Sequence, residues 1–194
     1  CLQVLHDWNH PLTIITRGAT VLRDLDLLGQ MAVRQQVAVG ISITTLDAGL
    51  SRQMEPRAPT PATRLRMVEE LAAAGVAVRV MVAPVIPVLT GHEIERIAEA
   101  AAKAGASHAS IIPVRLPHEV APLFRDWLER HHPGKAAHVM ARIQAMRGGR
   151  DNDSRFGKRM QGEGKEAEMM HQRFRLVCKR LGLVNKGPAL DCDL

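Results

Sequence analysis

Apolar positions along this chain alternate between two spacings, and the alternation repeats four times. Short, nearly continuous apolar runs occupy Leu12 to Thr16, Val37 to Thr45, Val76 to Val85 and Ser107 to Val114. Between them, apolar residues recur at three- and four-residue steps: Val21, Leu22, Leu25, Leu28 and Met31 predict a helix over about 20–35. Asp47 predicts the N-cap of a short helix running to Met54. Thr60 with Pro61 predicts the start of another, which carries Leu65, Val68, Leu71 and Ala72 inward and stops at Gly75. Thr90 and Glu93 have the spacing of a capping box for a helix ending at Gly105. Helices holding Val120, Leu123, Phe124, Trp127 and Leu128, then 133–147 and Glu166 to Leu181, complete the reading, with a polar glycine-rich loop from Arg150 to Gly164.

Strands that are apolar on both faces and alternate with helices predict a parallel sheet, covered on both sides or closed into a barrel. Four strand–helix units make half of an eight-fold barrel, and the opening residues read as the end of a helix cut from something longer. The expected fold is therefore α/β: the C-terminal part of a partial TIM-type barrel of four βα units, followed by a C-terminal helical, basic region. A small doubly wound sheet is the alternative. The expected division is 1–132 for the barrel part, 133–182 for the C-terminal helices and basic loop, and 183–194 for a flexible tail.

Composition narrows the function. The chain is 194 residues long and 46% apolar, and no run approaches the ~18 apolar residues of a membrane span. Aromatic content is 3% with no Tyr, which argues against a base-stacking platform. Cys1, Cys178 and Cys192 are scattered rather than paired at metal-ligand spacing, so they read as idle thiols in a reducing cytoplasm. The net charge of +6 is concentrated. Between Arg142 and Lys186 stand 12 Lys/Arg against 5 Asp/Glu, a balance of +7 that suits an anionic partner, nucleic acid among them. A solvated basic helix without partner accounts for the same composition.

Candidate chemistry gathers at strand ends, where parallel α/β folds bind ligands. Arg17, beside Gly18 at the first exit, suits a carboxylate or phosphate. Ser42 and Thr44 share one face of the second strand and can meet a ribose or an amino-acid head group. Glu55, on the following loop, can accept from an amine or pair with Arg57 or Arg64. Pro84 and Pro87, which lack backbone donors, stiffen an apolar strand end, Val82 to Pro87, on which an adenine can rest, and Arg115 faces the same mouth from the fourth strand. There is no P-loop, no Rossmann glycine motif and no Gly-x-Ser-x-Gly nucleophile. An aldolase-type or phosphate-binding barrel would need a lysine or paired carboxylates at these ends, and neither is present.

Several runs together resemble the radical S-adenosylmethionine (radical SAM) superfamily, in its spore-photoproduct-lyase-like branch. They are Leu12-Thr-Ile-Ile-Thr-Arg-Gly18, Leu22-Arg-Asp-Leu-Asp-Leu-Leu28, Ser42-Ile-Thr-Thr-Leu-Asp47, Glu55-Pro-Arg-Ala58, Val80-Met-Val-Ala-Pro-Val-Ile-Pro87 and Arg115-Leu-Pro117. Arg147-Gly-Gly-Arg-Asp-Asn-Asp-Ser-Arg-Phe-Gly157 and Arg159-Met-Gln-Gly162 extend the match, which covers 11 to about 182.

The resemblance implies a partial (β/α)6 barrel with a [4Fe–4S] cluster and SAM, in which reduced SAM yields a 5′-deoxyadenosyl radical that takes hydrogen from a substrate. It implies SAM contacts at Arg17, where many relatives carry Lys, and at Ser42, with Ala83 and Pro84 on the adenine side and Thr44 and Glu55 beside them. Arg115, Arg150 and Arg155 become candidates for substrate contact. The Cys-x3-Cys-x2-Cys loop of the superfamily is absent and would precede residue 1, so the expectation is the inactive C-terminal portion of a cytoplasmic, DNA-repair-lyase-like enzyme. A nucleic-acid-binding module built on 142–186 without catalysis is the other reading.

Overall fold

The structure, a computed structural model, describes residues 1–192. Four strands, β1 (Leu12–Thr16), β2 (Val37–Ser42), β3 (Ala77–Val85) and β4 (His108–Pro113), form one parallel sheet in the order β1-β2-β3-β4. In chain order the helices are α1 (Leu2–Asp7), α2 (Leu25–Val33), α3 (Ala48–Met54), α4 (Pro61–Ala73), α5 (Ile94–Lys103), α6 (Val120–His131), α7 (Pro133–Ala145) and α8 (Gly164–Leu181). Strictly sequential parallel neighbours are the order of barrel staves. A doubly wound sheet reverses direction at a switch point, and this one does not. The fold is thus α/β and consistent with part of a barrel.

The two faces of the sheet differ in chemistry. Val37, Val39, Ile41, Val78, Val80, Val82, Ala109 and Ile111 point outward into a core shared with Leu28, Met31, Met67, Leu71, Ile97 and Phe174 of the helices. The inner face carries the alternate residues, in the register rows Ile15–Gly40–Arg79–His108 and Ser42–Met81–Ser110. These rows mix small and polar residues with Ile15 and Met81, and they are more open than the outer face, as the 65% exposure of Ile15 illustrates.

Local signals explain most boundaries. Asp47 caps α3 by accepting from the Gly49 and Leu50 amides at 2.7 and 3.1 Å, and Thr60 caps α4 by accepting from Thr63 at 3.2 Å. The capping box is not formed. Glu93 is buried and turns towards β2, accepting from Thr45 Oγ1 at 2.6 Å and the Leu46 amide at 3.0 Å, while Thr90 Oγ1 accepts from the Ile86 amide. Tertiary partners outcompete the helix end, whose first turn becomes 3-10 (Gly91–Glu93). The helix expected over 20–35 likewise opens as a 3-10 turn, Ala19–Asp24, before α2.

The C-terminal helices belong to the same body. Ile86, Leu89 and Val114 from the strand exits pack with Leu128 of α6 and Val139, Met140 and Ile143 of α7, so a boundary at 132/133 passes through a packed cluster. Phe174 and Val177 of α8 enter the main core. The expected flexible tail returns to the sheet: Val184 bridges His108 in parallel, and the Asp191 amide donates to Gln35 O at 2.9 Å. The last two residues of that stretch lie outside those described.

Gly105, at φ +96°, ends α5 where a Cβ would lie 2.8 Å from Ala72 Cβ of α4. Gly105→Ala is expected to cost about 1–3 kcal/mol through backbone strain and the clash together, read from the urea midpoint.

Candidate functional site

The carboxyl ends of all four strands surround one hollow of about 460 Å3. Thr16 and Arg17 border it from β1, Ser42 from β2, Met81, Ala83 and Pro84 from β3, and Ile112, Pro113 and Arg115 from β4. Met160 closes one side from the glycine-rich loop. Five of the residues singled out by sequence, Arg17, Ser42, Ala83, Pro84 and Arg115, therefore share one cavity wall. A larger cavity, about 640 Å3, lies between Ser110 and Ile111 of β4 and the beginning of α8, away from the other strand ends.

The remaining candidates stand elsewhere. Glu55 is behind Arg17 rather than in the wall: its Oε1 meets Arg17 Nη1 at 2.7 Å and its Oε2 meets Arg64 Nη2 at 2.5 Å. Thr44 is buried, with Oγ1 donating to Ala83 O at 3.1 Å. Arg150 and Arg155 do not reach the hollow. Arg150 is exposed, and Arg155 is bound to Asp153 and Glu163 within its own loop.

Hydrogen-bond direction refines the part played by the hydroxyls. Ser42 Oγ donates to Ala83 O at 3.0 Å, so its proton is committed and only its lone pairs face the hollow. Both hydroxyls converge on one carbonyl because β3 is irregular between Val82 and Val85, where the register shifts. That irregularity turns Ala83 and Pro84 to the hollow.

Two buried arginines hold these ends in place: Arg64, which the sequence offers as a partner of Glu55 and which does pair with it, and Arg147, which it offers only within a matching run. Arg64, 2% exposed, donates to Ser42 O through Nη1 and to Pro59 O through Nε, both at 3.0 Å. Arg147, 1% exposed, donates to Pro113 O and Val114 O at 3.3 and 2.8 Å, and to Lys158 O and Arg159 O of the loop. Burial, and then the Arg115 charge, pull the Arg147 pKa below the usual guanidinium range. The signal was periodic. Arg64 lies four before Val68 on the inward stripe of α4, and Arg147, in the turn after α7, lies four beyond Ile143 in register with that helix's inward stripe.

Metal-binding potential is absent among the described residues, where no group of three His, Cys, Asp or Glu converges. Cys1 and Cys192 are exposed. Cys178 is buried on the inward face of α8, and burial pushes its thiol from 9.0 up to about 11.

No family model matches the chain. It is 37% identical over 125 residues to uncharacterized proteins of Mycobacterium tuberculosis and Mycobacterium bovis, an alignment of 63% of this chain and 37% of theirs. An uncharacterized protein of Acidianus two-tailed virus is 40% identical over 74 residues, 38% of this chain and 24% of that protein. The chain thus spans little more than a third of the length of the mycobacterial proteins and about a quarter of the viral one. Among solved structures, a point mutant of spore photoproduct lyase matches with a TM-score of 0.62 at 15% identity, over 96% of this chain and 56% of that one. The likeness is one of fold.

Arg64→Met leaves Glu55 with Arg17 as its one cation, and takes the donor from the buried Ser42 carbonyl and the part-buried Pro59 carbonyl. It should cost about 3–5 kcal/mol in urea unfolding, against less than about 1 kcal/mol for the half-exposed Arg17→Met. Thiol reagent should label Cys1 and Cys192 in the native protein and Cys178 only on unfolding. Because the folded thiol keeps its proton beyond the unfolded value, the folded state binds more protons between pH 9 and about 11. Stability should fall through that window, and a Cys178→Ala variant should lack that component.

Proposed function

We propose that the hollow is the adenosyl-binding side of a radical SAM-type site, in an enzyme related to spore photoproduct lyase. The observation that supports this reading is the convergence of Arg17, Ser42 and the Ala83–Pro84 segment on one cavity, in a chain sharing its fold with that lyase, a radical SAM enzyme.

The residues present fit SAM. Ala83 and Pro84 offer a rigid apolar shelf for the adenine. Ser42 Oγ, its proton held by Ala83 O, accepts from a ribose hydroxyl. Arg17 keeps N–H groups beyond the one bound to Glu55 and takes a carboxylate. SAM, when bound, supplies the hydrogen-abstracting group of the reaction, and this chain's residues orient it and keep its surroundings apolar with Ile15, Met81 and Ile112. A [4Fe–4S] cluster has no fitting ligands among the described residues, since it needs several converging thiolates.

Equilibrium dialysis with SAM tests the reading. Saturable binding is expected, weakened about tenfold by Arg17→Ala, in line with the loss of a charge-assisted pair. Absence of SAM binding by the folded chain would remove the proposal. Treatment of this chain with iron and sulfide should produce no cluster absorbance.

The second reading, a nucleic-acid partner on the basic region, draws on six cations of 142–186 with no acidic partner among the described residues: Arg150, Arg159, Lys165, Arg175, Lys179 and Lys186. Retention on a DNA column should then fall steeply with salt. Retention insensitive to salt would count against it.

A further inference from the structure

The two sides of the hollow differ in charge balance. On the β1 side, Arg17 has an acidic partner, Glu55 at 2.7 Å, which it shares with Arg64. On the β4 side, Arg115 has no acidic partner among the described residues. Its Nε is buried and unbonded, and its Nη1 reaches only Met160 Sδ at 3.5 Å. A thioether sulfur is a weak acceptor, whereas a guanidinium is a rigid fork built for two oxygens.

The carboxylates of the adjoining loop cannot supply the missing charge, because each is taken. Asp151 binds Arg125, Asp153 binds Arg155, and Glu163 binds Arg155 and Lys158. Arg147, the nearest buried cation, adds to the positive potential: its hydrogen bonds go only to carbonyls, and Arg115 contributes to its lowered pKa. Between Arg17 and Arg115 the wall is apolar, from Ile15, Met81 and Ile112. A cation left this way in a half-buried setting is costly unless an anion meets it.

We propose that Arg115 anchors an anionic oxygen group, phosphate or carboxylate, on a second molecule that shares the hollow with the cofactor. The occupant has an apolar body against Met81 and Ile112 and an acidic end at the β4 exit. This rests on the proposed function only in taking the hollow as a ligand site and in assigning Arg17 to SAM.

The test follows arginine Nε–H and backbone amide signals by NMR while inorganic phosphate and malonate are titrated separately. A saturable shift of the Arg115 Nε–H with either anion is expected. The arm that responds tells a phosphate ester from a carboxylate. In Arg115→Met the anion affinity, read at the Ile112 and Met160 amides, should drop about tenfold or more, and Arg115→Lys, which keeps charge without the fork, should fall between. Arg115→Met should melt no lower than the parent, since it removes an uncompensated charge beside Arg147. Should it fail to fold, the Lys variant carries the comparison. No saturable shift with either anion, or equal affinity in the variants, overturns the inference. So does loss of SAM binding in Arg115→Met, which would give Arg115 to the cofactor. Anion binding through Arg115 in a chain that never binds SAM would leave this inference standing and remove the proposed function.

Discussion

A parallel strand that stops leaves carbonyl groups pointing where no further strand can meet them. Here two guanidinium groups, Arg64 and Arg147, take up that task at β2 and β4, gripping Ser42 O on one side and Pro113 O and Val114 O on the other. A buried guanidinium is costly to desolvate, and the cost is offset only when most of its N–H groups find acceptors. Each of these two finds several, so the strand ends become fixed points. The rest of the mouth depends on them. Glu55 is oriented by Arg64 and in turn orients Arg17, and the loop bearing Met160 is tied down through Arg147.

Much of this was legible from residue order, because local chemistry governs the start of α3 and α4. Asp47 and Thr60 cap as their types and positions suggest, and the strand–helix alternation carries over into a sheet of sequential parallel neighbours. What stayed hidden depended on partners far along the chain. Glu93 has the spacing of a cap residue, yet a hydroxyl and an amide 48 and 47 positions earlier claim its carboxylate. Ser42 and Thr44 were placed on a common face by the period of a strand, but period says nothing about where their protons go. That both turn to Ala83 O follows from an irregularity in β3. Arg64 is legible as a partner of Glu55, but that it and Arg147 are buried and grip strand-end carbonyls depends on residues far along the chain.

The basic C-terminal third shows how charge counted along a chain differs from charge available to a partner. Arg142, Arg155, Lys158, Arg173 and Arg180 each meet a carboxylate, and Arg147 is spent on carbonyls. Several of these pairs cross between elements, Arg173 with Glu95 and Arg180 with Glu99 joining α8 to α5. Part of an apparent signature of an anionic partner is therefore internal fastening. The same caution applies to kinship: a likeness at 15% identity is one of architecture, and function rests with the particular side chains.

The separation of the sheet into an outward apolar face and an inward sparse one has an evolutionary corollary. Residues that bear the fold, such as Val39, Val80 and Ile111, alternate along each strand with residues that shape the cavity, such as Met81 and Ile112. Changes on the second set need not be compensated in the first. Descendants of this scaffold can drift in what they accommodate while their robustness stays nearly constant, a freedom denied to proteins whose recognition surface and packed interior are built from the same side chains.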